Sequence, residues 1–162
     1  MKKINFYSFY LLLLSTLFFV KCAKEYGDPP YVMDEQNITT LQIEVSKFNN
    51  EEGQLVIAIF NSSDQFLNTT FRDTTVDINE EVTIVNLKDI PMGEYAISVF
   101  HDEDKNGELT ENLLFGVIPI PQEGYGFSNN PPVSSSAPSY QECKFEIFEG
   151  QILVVPIELN YF

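Results

Sequence analysis

The sequence predicts an antiparallel β-sandwich of about seven strands, and three observations support this fold class. Apolar and polar residues alternate over several short segments, and turn-forming residues separate these segments at fairly regular intervals. The chain has no long segment with the 3.6-residue period of an amphipathic helix. Several short strands at regular spacing are typical of two β-sheets that pack face to face.

The candidate strands follow one another from residue 41 to residue 159. Leu41, Ile43 and Val45 alternate with polar residues, and this period of two predicts a strand with one buried face. The other candidates share short apolar or alternating patterns and are residues 55–60, 76–78, 81–85, 95–100, 115–118, 143–148 and 153–159. The patterns are weakest at 76–78 and 81–85.

Turn residues connect these candidates. Residues 50–53 are polar and end in glycine, which predicts a turn between the first two strands. Glu149 and Gly150 predict a tight hairpin between the last two strands. Pro156 has no N–H to donate, so the last strand is expected to lie at the edge of a sheet.

The N-terminus resembles an export signal. Lys2 and Lys3 precede residues 4–20, which carry no charge and are at the short limit for a membrane-spanning helix of about 20 residues. Cys22 stands where a bacterial lipoprotein carries its lipid, although Lys21 departs from the Gly, Ala or Ser usual before that cysteine. A lipid-anchored protein is the interpretation we favour; an uncleaved signal anchor and ordinary secretion are the alternatives.

Three regions follow from this interpretation. Residues 1–21 are predicted to be a lipoprotein-type signal peptide, and residues 22–38 a polar, proline-containing tether. Residues 39–162 are predicted to form the β-sandwich domain.

The charge balance bears on the partners of this domain. The chain has 9 basic and 24 acidic residues, a formal charge of −15. Loss of residues 1–21 would remove three lysines and leave about −18. A nucleic-acid partner is therefore excluded, since phosphate backbones are bound by basic surfaces. Divalent cations fit an acidic surface better, although such a surface also serves solubility alone.

One segment has the spacing of a cation-binding loop. Asp102, Asp104 and Asn106 place oxygen side chains at alternate positions, and Gly107 follows where the loop must turn sharply. This pattern predicts a weak Ca²⁺ site. The alternative is a β-turn rich in Asp and Asn that needs no metal.

The pattern offers two further ligands for that site. Glu108 and Glu111 are the candidates that would complete the shell. Leu113 stands where a helix-loop-helix calcium site has a bidentate glutamate, and a strand rather than a helix precedes the loop. The expected affinity is therefore that of weak extracellular modules, about 10⁻⁴ to 10⁻³ M.

His101 and Cys143 are the two residues that we consider as candidates for a catalytic role. His101 continues the inward-facing positions of its strand, so we expect a buried histidine bonded to the neighbouring loop, with a catalytic or ligand role as the alternative. Cys143 alternates with Phe145 and Ile147, which predicts a buried, inert thiol. One histidine and one cysteine do not suffice for a zinc site. The sequence therefore predicts a protein without enzymatic activity.

Four segments, in this order, resemble the uncharacterised bacterial domain-of-unknown-function family 2141. They are residues 91–102, 104–109, 124–130 and 138–145, and the resemblance covers about residues 39–161. It implies export and a β-sandwich, and it brings no established activity. Cys143 stands where members usually have a small residue, and Thr110 where many have an aspartate. The entry Pro91-x-Gly93-x-Tyr95 also resembles transthyretin-like and immunoglobulin-like sandwiches.

A non-enzymatic binding or accessory module of the bacterial cell envelope is the function that we predict. We expect it to be lipid-anchored in the outer membrane, either periplasmic or surface-exposed. Residues 61–73 and 119–139 are predicted loops, and the second is long enough to be a contact surface for an envelope protein or a glycan. The candidate contact residues are Tyr125, Phe127, Ser128, Asn129 and Asn130. The alternatives are a structural envelope protein without a ligand, and a hydrolase of cell-wall or glycan material based on His101.

Overall fold

A computed structural model describes residues 39–78, 80–132 and 136–162 of the protein. These residues belong to one compact unit, Asp34–Phe162. The predicted signal peptide, the predicted lipid attachment at Cys22 and the predicted tether lie outside the described residues.

The described elements are ten strands and one short helix. They are β1 (Thr40–Ser46), β2 (Gln54–Phe60), β3 (Arg72–Asp77), β4 (Val82–Lys88), β5 (Gly93–Asp102), β6 (Glu111–Leu114), β7 (Ile118–Pro121), β8 (Tyr125–Phe127), α1 (Tyr140–Cys143), β9 (Phe145–Ile147) and β10 (Ile152–Glu158).

The strands form two larger sheets and one hairpin. The first sheet has the order β10-β1-β4, and the second has the order β3-β2-β5-β8, with β9 pairing with β5 as well. Among the described strands, β6 and β7 pair only with each other, as a two-stranded sheet. All described pairings are antiparallel except that of β1 with β10, which is parallel.

A single apolar core lies between the two larger sheets. Strands of both sheets alternate between buried and less buried residues, so each contributes every second side chain to the core. The side chains with no exposed surface include Leu41, Ile43, Val45, Leu55, Ile57, Ile59, Ile97 and Ile157. The predicted all-β sandwich is thereby confirmed.

A second apolar cluster covers the other side of the β2–β5 pair. Phe60 and Ala96 lie opposite each other on those strands, and they pack with Phe66, Tyr140 and Cys143. The prediction that Cys143 is buried is confirmed. Its predicted place in a strand is wrong, because Cys143 is the last residue of α1 and belongs to this second cluster instead of the core that holds Ile147.

The predicted strand at residues 115–118 is wrong. Phe115 and Gly116 have φ angles of 53° and 76°, in the left-handed region that an extended strand does not use, and they form the turn of the β6–β7 hairpin. The segment 119–139, predicted as a loop, also contains the end of β7 and the whole of β8.

The predicted hairpin at Glu149 and Gly150 is wrong as well. β9 pairs with β5 in the second sheet, whereas β10 pairs with β1 in the first, so the connection crosses between sheets. The turn signal at Gly150, whose φ is 70°, is present, but a turn signal does not specify which sheet the next strand joins. The edge position of Pro156 is confirmed, since β10 is the outer strand of its sheet.

Candidate functional site

The acidic loop begins where β5, the longest strand, leaves the sheet. Asp102 is the last residue of β5 and pairs with Gln54, the first residue of β2. The alternation that buries Ile97 and Val99 continues to His101, whereas Asp102 points to the opposite face of the strand, and both side chains are fully buried. The sheet therefore fixes the first carboxylate of the loop.

The Asp102 carboxylate accepts three hydrogen bonds that hold the loop closed. Its Oδ1 accepts the backbone N–H of Asn106 at 3.0 Å. Its Oδ2 accepts the backbone N–H of Gly107 at 2.9 Å and the Nε2–H of Gln54 at 2.7 Å. Burial favours the neutral acid, but these hydrogen bonds outweigh burial and hold the pKa of Asp102 below its ordinary value. Asp102 is thus an anion at neutral pH.

The next residues form a tight turn around Asn106. The Asp104 carboxylate accepts the backbone N–H of Asn106 at 3.1 Å and its side-chain Nδ2–H at 2.9 Å. The Asn106 Oδ1 accepts the backbone N–H of Glu108 at 2.6 Å. Lys105 and Gly107 have left-handed φ angles of 59° and 81°, which confirms that the chain turns sharply here.

Glu123 completes the acidic site, and the sequence interpretation missed it. It is 5% exposed, and its carboxylate accepts the backbone N–H of Glu103 and that of Thr110, each at 2.9 Å. A signal for it exists in the sequence, because Glu123 is the only charged residue between Glu111 and Glu142. An isolated carboxylate within a long uncharged segment requires partners, and here the acidic loop supplies them.

Asp102, Asp104 and Glu123 each direct a carboxylate oxygen into one small region. The three oxygens lie within 4.8 Å of one another. Asp102 and Glu123 are buried, and Asp104 is exposed, so the cluster opens to solvent on one side. Of the predicted ligands, Asp102 and Asp104 are in this group, Asn106 lies in the same turn, and Glu108 and Glu111 are exposed and outside it.

This arrangement has the chemistry of a site for a hard cation. Three carboxylates at such short range repel one another, and a divalent cation between them would replace that repulsion by attraction. Carboxylate and amide oxygens are the ligands that Ca²⁺ prefers.

Two glycines allow the loop to pack closely on its neighbours. A Cβ at Gly53 would lie 2.2 Å from the backbone oxygen of Asp102, so only glycine fits between β2 and the loop. A Cβ at Gly124, the residue after Glu123, would lie 2.3 Å from the ring of Tyr161. The close approach of these segments fixes the positions of both buried carboxylates.

His101 is a structural residue of this region. It is fully buried, and its Nε2 lies 2.6 Å from the backbone oxygen of Glu52, to which it must donate a proton. Its Nδ1 is hydrogen-bonded to the hydroxyl of Tyr161 at 2.8 Å. The expectation of a buried histidine bonded to a neighbouring loop is confirmed.

The predicted contact residues at 125–130 bond mainly within the fold. Ser128 is fully buried and donates to the backbone oxygen of Cys143 at 2.6 Å, so its prediction as a contact residue is wrong. The Asn129 amide donates to the backbone oxygen of Lys144 at 2.8 Å. Asn130 bonds to the free edge of β10, accepting the N–H of Glu158 at 2.8 Å.

Tyr125 and Phe127 are half-buried and line a small pocket. Its other lining residues are Asn130, Pro131, Pro132, Ser136, Pro138 and Asn160. This pocket is the part of the 119–139 segment that keeps aromatic surface available.

Cys143 does not have the properties of a nucleophile. It is fully buried, and burial, with a smaller contribution from the charge of Glu142, raises its pKa to about 11. At neutral pH it is an uncharged thiol packed among aromatic rings.

The fold and the site together define a two-sheet β-sandwich with an acidic loop at the end of its longest strand. The chain belongs to the family described as "Uncharacterized protein conserved in bacteria (DUF2141)", whose sequence profile matches residues 43–154. The resemblance predicted from the four segments is thereby confirmed. No curated protein and no solved structure matches the chain significantly. Within the described part of the chain, no helix is long and apolar enough to cross a membrane.

Proposed function

We propose that this protein is an exported, lipid-anchored and non-enzymatic module of the bacterial cell envelope, with a loop that Ca²⁺ stabilises. The observation that carries the proposal is the convergence of the Asp102, Asp104 and Glu123 carboxylates within 4.8 Å at the end of β5. The signal-like N-terminus with Cys22 and the family's occurrence in bacteria support the envelope location.

Glu123 changes the ligand set expected for the ion. The loop lacks a glutamate at position 113, and Glu123 supplies a carboxylate from outside the loop sequence. Asp102, Asp104, Glu123 and the amide oxygen of Asn106 would be the protein ligands, with water completing the shell. Because the site opens to solvent at Asp104, a weak affinity of about 10⁻⁴ to 10⁻³ M fits the geometry best.

A structural role without any ligand is the second candidate, and one observation favours it. The buried carboxylates of Asp102 and Glu123 already accept backbone hydrogen bonds from four residues of the loop. These bonds stabilise both anions without a cation. In that case the carboxylates are simply the clamps that shape the loop.

Calorimetric titration of CaCl₂ into the full-length protein separates the two candidates. The calcium proposal predicts binding at or below millimolar concentration and a melting temperature that falls when chelator is added. Asp104→Asn should weaken binding about tenfold or more without unfolding the protein, because Asp104 is exposed. Glu81→Gln, at an exposed carboxylate outside the site, is the matched control.

Absence of binding at millimolar Ca²⁺, together with an unchanged melting temperature, would contradict the calcium proposal and leave the structural candidate. Equal weakening by Asp104→Asn and Glu81→Gln would contradict the assignment of the site, since it would show nonspecific binding to an acidic surface.

The lipid anchor has a separate test. Expression in a Gram-negative host with radiolabelled palmitate should label the protein, and Cys22→Ser should abolish the label. An equally labelled Cys22→Ser variant, or an unlabelled wild-type protein, would contradict the anchor.

The pocket beside Tyr125 and Phe127 is the partner surface that we propose. The pocket between Tyr125, Phe127 and the prolines that follow would contact an envelope protein or a glycan. We do not propose the hydrolase, because it needs an accessible His101, and both ring nitrogens of this buried residue are already bonded.

A further inference from the structure

The β6–β7 hairpin exposes more apolar surface than any requirement of the fold explains. Leu113 is 61% exposed, Leu114 43%, Phe115 86% and Val117 75%. None of them belongs to either apolar cluster of the described residues. Singly exposed apolar side chains are ordinary, but four of them within five residues form a surface that calls for an occupant.

These side chains surround the hairpin tip instead of covering one face. Leu113 and Leu114 are consecutive in β6 and so point to opposite faces of the hairpin. Phe115 and Val117 lie in the turn that follows. Residues 112–122 also contain no charged residue, in a chain that has 24 acidic ones. The tip is therefore apolar on all sides.

Two prolines remove hydrogen-bond donors from the outer edge of the hairpin. Pro119 pairs with Leu113 and Pro121 with Glu111. Since proline has no N–H, the hydrogen bonds that β7 donates to β6 come from the residues between the prolines. The backbone nitrogens of Pro119 and Pro121 therefore face away from β6. That edge gives little template for a partner strand, whereas the β6 edge keeps the outward N–H groups of Glu111 and Leu113.

We propose that the tip of the β6–β7 hairpin inserts into the boundary between the headgroups and the acyl chains of a lipid bilayer. A groove on a partner protein would cover one face of the hairpin, and added strands would need edge donors. Lipid instead surrounds an apolar tip from every side, and at the headgroup boundary water still reaches the backbone groups that the hairpin leaves unpaired. The chain has a formal charge of −15, and anionic lipid repels an acidic protein. A zwitterionic membrane surface is therefore favoured over an anionic one.

The size and mounting of the hairpin suit shallow insertion. Four residues per strand at about 3.3 Å each give a length of about 13 Å, comparable to the 5–10 Å by which interfacial segments enter a bilayer. The base is closed where Gln122 donates its N–H to the backbone oxygen of Thr110 at 2.8 Å. The Glu123 carboxylate in turn accepts the N–H of Thr110 at 2.9 Å. The hairpin is thus held at its base while its tip remains free.

This inference goes beyond the proposed function and does not require the bound ion. A lipid anchor at Cys22 would add to it, because stable membrane attachment generally combines two weak signals. The hairpin would then be the second signal.

A single tryptophan placed at the tip tests the insertion, because the chain contains none. Full-length Phe115→Trp protein is mixed with phosphatidylcholine vesicles whose acyl chains are brominated. Insertion predicts a blue shift of the indole emission and strong quenching by the brominated lipid. The local reporter is needed since apolar residues 4–20 can attach the whole chain to vesicles.

Phe148→Trp is the matched control, because Phe148 is also an exposed phenylalanine, 55% accessible, in the connection between β9 and β10. Its indole should be quenched several-fold less. Adding Val117→Asp to Phe115→Trp should reduce quenching at the tip, while circular dichroism shows an unchanged melting temperature.

Three results would overturn the proposal. They are an indole at position 115 that emits as in buffer when vesicles are present, equal quenching at positions 115 and 148, and a concentration-dependent blue shift without vesicles, which would identify a second copy as the occupant. Calcium titration of the same variants keeps the two proposals separate, because the ion site can bind normally while the tip stays in water.

Discussion

The sandwich and the segment 102–123 are stabilised in opposite ways. Between the sheets, apolar side chains such as Ile57 and Ile97 have no exposed surface. In the segment 102–123, the buried side chains include the carboxylates of Asp102 and Glu123, and the exposed ones include Phe115 and Leu113. Hydrophobic burial therefore holds the sandwich, and hydrogen bonds to buried anions hold the segment.

This difference indicates which region of the molecule carries the function. An apolar core is sufficient to form the fold, whereas buried carboxylates cost stability unless something compensates them, and exposed apolar side chains contribute no hydrophobic stabilisation. Backbone amides compensate the carboxylates in part. The cation that we propose would compensate the carboxylates further, and the bilayer that we propose would cover the exposed apolar side chains.

The largest expected effect is in the core. Ile57→Ala should lower the free energy of unfolding by about 2–5 kcal/mol, since it removes a fully buried side chain that the neighbouring strands do not replace. Leu113→Ala should change it by no more than about 0.5 kcal/mol, because Leu113 is 61% exposed. Urea denaturation of both variants makes the measurement, and similar losses would remove the distinction between the two regions.

Glu123→Gln should have the next largest effect. Both oxygens of Glu123 accept backbone N–H groups, and an amide can accept only with one of its two terminal atoms. We expect a loss of about 1–3 kcal/mol in the free energy of unfolding. Glu81→Gln, at an exposed site, should stay within about 0.5 kcal/mol. An equally small effect for Glu123→Gln would show that the clamp is not required.

Acid should weaken the contribution of Asp102. The folded-state pKa of Asp102 lies below the value of about 3.9 of an unfolded aspartate, because its hydrogen bonds outweigh burial. Its stabilising contribution is therefore complete above about pH 4 and is lost as the pH falls through the lower folded-state pKa. The stability difference between wild type and Asp102→Asn should be constant from pH 7 to about pH 5 and then narrow. A difference that grows on acidification would contradict the direction of the pKa shift.

The smallest expected effect is the reactivity of the Cys143 thiol in the native protein. In a Cys22→Ser background, Cys143 is the single thiol of the chain. With a pKa raised to about 11 and no exposed surface, it should react with a thiol reagent at pH 8 only after urea is added. Fast labelling of the native protein would mean that the second apolar cluster opens readily.

The sequence predicted the regions that local patterns encode. Alternation identified the strands that contribute Leu41, Ile57 and Ile97, because each residue's burial there follows from its position in its own strand. The turn at Asp102 to Gly107 was predicted for the same reason, since its bonds join residues two to five positions apart.

The remainder depends on contacts between distant segments. Glu123 reaches Glu103 across 20 residues, and no local pattern specifies that pairing. β9 and β10 join different sheets although a turn signal connects them, because strand pairing is decided by the completed core. The sequence interpretation missed the β6–β7 hairpin. Its apolar residues have the composition of a buried strand, although they are exposed to solvent.

Hydrogen exchange with and without Ca²⁺ tests the central claim most directly. The claim is that the segment 102–123 is held by its carboxylates and stabilised further by a cation, independently of the sandwich. The carboxylates of Asp102 and Glu123 accept hydrogen bonds from the amides of Glu103, Asn106, Gly107 and Thr110. Millimolar Ca²⁺ should slow exchange at these four amides and leave exchange in the core strands β1 and β2 unchanged. Unchanged exchange at these four amides, or equal slowing in the core strands, would contradict the account.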